Sequence, residues 1–153
     1  MISIKNILWP TDFSEDADHA LQYAIEFATR FEATIHLHHV VNVPYMSVAY
    51  EIGPDVLAAR ETAENYAKEY LAKKAKEVEA AGVKTEMHLT VGTPFVDITA
   101  LAKEKKIDLI IVATHGKGAI EHMLMGSTAE RIVRKAPCPV LSVKHPERDF
   151  VMH

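Results

Sequence analysis

The stretch from Asp108 to Arg131 limits most tightly what this chain can fold into. Ile107 to Ala113 reads as a strand that is apolar on both faces. A central strand of a parallel sheet needs that pattern, because helices cover it on both sides. A loop follows, and then a helix that opens at Gly126-Ser127. Such a loop sets free backbone N–H groups beside a helix N-terminus, where the helix dipole adds to their attraction for a phosphate or another anion. Gly116 leaves room for phosphate and can take a backbone turn that other residues resist. Ser127 offers a hydroxyl and an N–H at the helix start, and Ser127-Thr-Ala-Glu130 also reads as a capping box. The two readings are compatible, since a cap can face a ligand. The stretch is not a P-loop, because no Gly-Lys-Ser/Thr follows at the required spacing. Nor is it Gly-x-Gly-x-x-Gly, because Glu121 stands where the third glycine belongs. Between Thr114 and Ser127 the formal charges are Lys117 and Glu121, which cancel. Backbone N–H groups would therefore carry most of any phosphate contact, with Lys117 as a peripheral helper.

The rest of the chain alternates strand and helix. Ile4 to Trp9 is a strand, ended by Pro10-Thr11-Asp12. Ser14 is a good N-cap, and Glu15, Asp16 and Asp18 suit the positive end of the helix that follows. Ala17, Leu21, Ala24, Ala28 and Phe31 recur at helical spacing and should face the sheet. Thr34 to Val41 is a second strand. Residues 42–55 hold two prolines and no clear period, so they read as a loop, with Tyr45, Met46, Val48 and Tyr50 as unusually apolar members. Residues 56–81 form a long helix with Ala67, Leu71, Ala75 and Val78 inward and Gly82 as its stop. Val83 to Val91 is a third strand. Thr93-Pro94 is an N-cap followed by proline at the first helical position, and that helix ends near Lys106. Residues 127–136 form the last helix, Pro137 stops it, and Val140 to Lys144 is the fifth strand. Residues 145–153 read as a polar tail. The order is β-α-β-α-β-α-β-α-β, a doubly wound α/β fold in one domain spanning 1–153. Right-handed crossovers then place helices on both faces of a five-stranded parallel sheet, and periodicity leaves its strand order open. Ligands of such folds bind at the carboxyl edge of the strands.

Bulk properties exclude several classes. The formal charge of −4 argues against general nucleic-acid binding, which needs a basic surface. One cysteine forms no internal disulfide, which fits a reducing compartment. No apolar run approaches the roughly 20 residues of a membrane span. Pro10, Thr11 and Asp12 interrupt the opening apolar run too early for a signal peptide. These features lead to the expectation of a cytoplasmic protein with no membrane contact.

Three segments together resemble the universal stress protein family. They are Asn6-Ile-Leu-Trp-Pro-Thr-Asp-Phe-Ser14, the pair Gly116 and Gly126-Ser127 separated by nine residues, and Ala136-Pro-Cys-Pro-Val-Leu-Ser-Val143. The resemblance covers nearly the whole chain. Nucleotide-binding members show Gly-x2-Gly-x9-Gly-Ser/Thr, and Ala113 stands where the first glycine falls. The resemblance implies strand order 3-2-1-4-5, so that Asp12 and the loop after Ala113 flank one crevice. It implies ATP as ligand, with Mg²⁺. Pro10, Thr11, Asp12 and Val40 would contribute from the first two strands. Val112, Ala113, His115, Gly116 and Lys117 would contribute from the fourth strand and its loop, and Gly126, Ser127 and Thr128 from the last helix. Asp12 would touch the adenine–ribose end or reach a metal through water. By its residue type alone it is an Asx turn before the first helix. Val40 matches the position that packs on adenine, whereas composition alone makes it core. A methyl at Ala113 would lie near the ribose. It costs about 1 kcal/mol or more if the backbone there needs positive φ, and almost nothing in strand geometry.

Nine histidines raise the question of a metal. His36 and His38 share one strand face and His39 lies on the other, but the sequence identifies no third ligand. His115 reads as loop-shaping, since no nucleophile or partnered carboxylate is evident. Cys138, between two prolines, reads as a buried structural thiol. The fifth strand is an apolar sheet edge open to a second chain. The resemblance implies a homodimer through it, and the alternative is cover by residues 145–153. The expected function is an adenine-nucleotide-binding sensor or regulatory protein. Two other readings stand beside it: a family member that binds no nucleotide and works through a protein partner, and a slow ATPase or adenylate-transferring enzyme.

Overall fold

The computed structural model describes residues 1–42, 53–116 and 125–145. The elements run β1 (Asn6–Pro10), α1 (Glu15–Phe31), β2 (Thr34–Asn42), α2 (Pro54–Ala80), β3 (Thr85–Gly92), α3 (Pro94–Glu104), β4 (Leu109–Ala113), α4 (Ser127–Lys135) and β5 (Val140–Val143). All strand pairs are parallel, and the order is β3-β2-β1-β4-β5. The fold expected from the sequence is the fold observed. Tyr45, Met46, Val48, Tyr50, Lys117, Glu121 and residues 146–153 lie outside the described residues.

The two apolar faces of the sheet separate residue by residue. Ile7, Trp9, Leu109, Ile111 and Ala113 pack with α1 and α2 through Ala17, Leu21, Leu71 and Val78. Their neighbours Leu8, Ile110 and Val112 pack the other way, with Ile98 and Leu101 of α3 and Ile132 of α4. Successive strand side chains point to opposite faces, so a strand covered on both sides must be apolar throughout. All five residues of β4 are buried. Each large aliphatic side chain fully buried here contributes about 1.5–3 kcal/mol relative to exposure.

Polar bonds fix how the elements enter the sheet. The Asp108 carboxylate accepts the Lys5 and Asn6 N–H groups at 2.8 and 2.9 Å and ties the start of β1 to β4. The Trp9 indole N–H donates to the Ala17 carbonyl at 2.9 Å and holds the first turn of α1 against β1. Ser14 caps α1 as expected, accepting the Ala17 N–H at 3.1 Å.

Several local expectations need correction. Phe31 is exposed, because the inward stripe of α1 ends at Ala28 and Glu32 turns the chain through left-handed backbone. The first strand begins at Asn6 and includes Pro10, and the third begins at Thr85. Lys106, at φ 51°, lies beyond the end of α3 at Glu104. Thr93 holds the N-cap position of α3 without a side-chain cap bond. The capping box at Ser127 does not form: Gly126 is the N-cap, Ser127 is already helical, and Glu130 pairs with Arg134 at 2.8 Å. Gly82, at φ 79°, does follow the end of α2 and takes the left-handed conformation that glycine tolerates best.

Candidate functional site

A crevice of about 360 Å³ opens at the carboxyl ends of β1 and β4. Strand order puts it there. β1 pairs with β2 on one side and β4 on the other, and the connections leaving β1 and β4 pass to opposite faces of the sheet. That reversal leaves a gap at the strand ends. Eleven of the residues singled out in the sequence line it: Pro10, Thr11, Asp12, Val40, Val112, Ala113, His115, Gly116, Gly126, Ser127 and Thr128. Lys117 lies outside the described residues. The crevice also takes in His38, His39, Pro94, Ile98 and Thr114, which sequence reasoning did not place there. Thr93-Pro94 carried a usable signal, since a helix that starts just after a strand starts at the sheet's carboxyl edge.

The β1 side of the crevice is a tight turn. The Thr11 hydroxyl accepts the Phe13 N–H and the Asp12 carboxylate accepts the Ser14 N–H, both at 3.0 Å. Asp12 therefore does form an Asx turn. Phe13 sits at φ 68°, the left-handed region, which costs a non-glycine residue about 1–2 kcal/mol. Packing offsets that cost. The Phe13 ring stacks on His39 at 3.9 Å between centroids and meets Tyr70 at 4.4 Å and Tyr66 at 5.4 Å. The His39 Nδ1–H donates to the Thr11 carbonyl at 2.7 Å, which fixes the ring's tautomer and ties the turn to β2.

The facing side is built from backbone. The Gly126 N–H donates to the Thr114 carbonyl at 2.6 Å and draws the start of α4 onto the end of β4. A Cβ at Gly126 would stand 3.2 Å from that carbonyl oxygen, tight enough that the backbone would have to give by a few tenths of an ångström. A Cβ at Gly116 would fall on the Asp12 carboxylate. Among the described residues only Gly82 is a glycine at positive φ, so Gly116 serves by leaving space rather than by its backbone angles. Ala113 is ordinary strand backbone, and its methyl belongs to the apolar cluster on the α1 side. The strain considered for that alanine is absent.

The open end of α4 completes the site. Its N-cap, Gly126, has no side chain, and among the described residues no side-chain cap bond is made there. The first-turn N–H groups of an α-helix have no partner within the helix. Here those groups belong to Ser127, Thr128 and Ala129, which line the crevice. The lining also has an apolar part, with Val40, Val112, Ile98 and Pro94. His38, also in the lining, is fully buried, and its Nε2 and the Thr90 hydroxyl share a hydrogen bond of 2.9 Å. Burial, reinforced by neighbouring His88 and His39, pushes its pKa down to about 3, so it is neutral at pH 7.

A second polar cluster lies on β2 and β3, outside the crevice. The His36 Nδ1 is 2.9 Å from the His88 Nε2 and 3.4 Å from the Glu86 Oε2. The Glu86 Oε2 is 3.7 Å from the His88 Nε2. Burial lowers the pKa of both histidines. His38 is not in this group, so the pair His36 and His38 noted in the sequence is not the pair the fold assembles. Cys138, expected to be buried, is only half-buried; its thiol pKa is raised, chiefly by that partial burial.

Comparison with known proteins agrees with the architecture. The profile of the universal stress protein family matches residues 3–144. Universal stress protein MJ0531 of Methanocaldococcus jannaschii is 36% identical over 146 residues, covering 95% of this chain and 85% of that one. The solved structure of protein MJ0577, from the same organism, superposes with a TM-score of 0.87 at 32% identity, over 95% of this chain and 99% of that one. More distant structures share the fold. They are a universal stress protein in complex with cAMP, at TM-score 0.70 and 24% identity, and one from Archaeoglobus fulgidus in complex with dAMP, at TM-score 0.61 and 20% identity. On its family profile, its relatives and its sheet order, this chain belongs to the universal stress protein family.

Proposed function

We propose that this protein binds an adenine nucleotide, ATP with Mg²⁺, in the crevice between β1 and β4 and works as a sensor or regulatory module. The observation that carries the reading is the uncapped N-terminus of α4, whose Ser127 and Thr128 line that crevice. N–H groups without an intrahelical partner, together with the helix dipole, favour a phosphate group. The apolar lining of Val40, Val112 and Ile98 suits a flat base. The crevice volume of about 360 Å³ is within the range of small-molecule sites. Asp12 fits a hard cation, because a carboxylate on the crevice lining supplies the oxygen that Mg²⁺ prefers. Mg²⁺ there would neutralise phosphate charge, which otherwise repels that carboxylate. Asp12 would hold the ion through water, while the backbone of α4 orients the phosphates. Among the described lining residues the one hydroxyl–imidazole contact is Thr114 with His115, 3.0 Å apart and buried on both sides, which suits a loop-shaping bond.

The test is the small-molecule content of protein purified without added nucleotide, read by mass spectrometry of the denatured supernatant, with calorimetry for added ATP. ATP in the supernatant, or micromolar binding, supports the reading. An empty supernatant with no heat of binding overturns it in favour of action through a protein partner. Rapid turnover of ATP or of a second substrate overturns it in favour of an enzyme.

The same protein forms a homodimer through β5 in this reading. Among the described residues β5 pairs only with β4, and Ser142 is exposed between half-buried Leu141 and buried Val143. An unpaired edge offers its donors and acceptors to a second copy, and two-fold pairing satisfies both. Light scattering at micromolar concentration should give twice the 17.1 kDa of one chain. Ser142→Pro should halve it by removing a backbone donor. A wild-type mass of 17.1 kDa overturns the dimer.

A further inference from the structure

Parallel pairing of β2 with β3 sets His36 beside Glu86 and His38 beside His88. Three ligand atoms converge there: His36 Nδ1, His88 Nε2 and Glu86 Oε2, with separations of 2.9, 3.4 and 3.7 Å. Zinc bonds to nitrogen and oxygen are about 2.0–2.2 Å, so tetrahedral ligand atoms lie roughly 3.3–3.5 Å apart. The cluster needs shifts of only a few tenths of an ångström to match.

A second observation concerns His36 itself. Its Nε2 lies 3.2 Å from the Asn6 Oδ1. With the Asn6 carboxamide oxygen turned to the ring, the matching tautomer carries its proton on Nε2 and presents the Nδ1 lone pair to the cluster. Metal-bound histidines carry this kind of outer hydrogen bond, which fixes the tautomer and aims the ring. His88 donates its Nε2 proton to His36 Nδ1 in the absence of a cation. To bind one it moves that proton to its own Nδ1, with no net change of charge.

We propose that His36, Glu86 and His88 bind a borderline divalent transition cation, zinc in particular, with water completing the coordination. Two imidazoles and one carboxylate suit zinc better than Mg²⁺ or Ca²⁺, which favour all-oxygen shells. The cation has a route in, because Glu86 is exposed and lies on the edge strand β3, while His36 anchors the buried side. Lys105 is close enough to act on both histidines and opposes a cation, and Glu104, close to His88, offsets that charge. None of the three ligands lines the nucleotide crevice, so the site is independent of the nucleotide reading.

The experiment is a titration of untagged, chelator-treated protein with ZnCl₂ by calorimetry, without nucleotide or magnesium. A parallel titration with Co²⁺ is read by its visible absorption. Wild type should bind about one zinc per chain and give the intense band of four-coordinate cobalt. His88→Ala should abolish both signals. Glu86→Gln should weaken zinc at least tenfold, and Asn6→Ala about tenfold, as outer-sphere partners do. Both β3 substitutions are on an edge strand, and circular dichroism checks their folding. Absence of zinc binding by wild type overturns the site. So does unchanged zinc affinity in folded His88→Ala and Glu86→Gln, which would put the metal on other histidines.

Discussion

The crevice at β1 and β4 and the histidine cluster on β2 and β3 belong to one sheet but are made of different material. The crevice is backbone and small residues: a turn at Thr11 to Ser14, glycines at 116 and 126, and the bare end of α4. The cluster is three side chains reaching across two paired strands. A backbone site is damaged by adding atoms, because its donors work only if a ligand can come close. A side-chain site is damaged by removing them.

The largest effect should come from the turn beside the crevice, at Phe13. Phe13→Ala removes the ring stacked on His39 while leaving a Cβ at positive φ. It should destabilise the fold by roughly 2 kcal/mol in denaturant titration. Phe13→Gly should lose about 1 kcal/mol less, because glycine accepts that φ. Equal losses would mean that the turn carries no strain.

Gly126→Val tests the backbone argument. The new side chain meets the Thr114 carbonyl and narrows the approach to α4. ATP affinity should fall at least tenfold, about 1.4 kcal/mol, by calorimetry. Undiminished affinity in a folded protein would break the contrast between the two regions, because added bulk would then be harmless.

Ala113→Gly sharpens the same contrast. The Ala113 methyl packs on the α1 side, so its removal should leave ATP affinity unchanged. Stability should fall by about 1 kcal/mol, from the lost methyl and the freer backbone. Tighter ATP binding in this variant would show that the methyl does crowd the sugar. The smallest effect is expected at Cys138, outside both regions. Its raised pKa should make iodoacetamide labelling near pH 7 slower than that of a free cysteine, since the thiolate is the reactive form. Labelling at the free-thiol rate would contradict the burial assigned to it.

Local sequence sufficed for most of the fold. The two-sided apolar run of β4 calls for helices on both faces, and Ser14, Gly82 and Pro94 mark helix ends through their own backbone chemistry. The crevice was legible for a related reason, since its turn and its glycines each carry a local signal and the family resemblance implied the strand order that brings the two segments together. Ser127 misled, because whether serine or the preceding glycine becomes the N-cap depends on how closely β4 and α4 approach, and the Gly126–Thr114 bond decides that.

The sequence by itself determined the elements, their alternation and the need for a parallel sheet. Those follow from periodicity and from backbone preferences that act over a few residues. Tertiary structure alone decided which side chains meet. Glu86-Met-His88 and His36 are some fifty residues apart and show no pattern until β2 and β3 pair in one particular register. A slip of one residue would turn Glu86 and His88 to the opposite face of the sheet, away from His36. Phe13 likewise shows nothing locally of its left-handed backbone. That conformation is supported from a distance by His39, Tyr66 and Tyr70, brought from β2 and α2 to close around its ring.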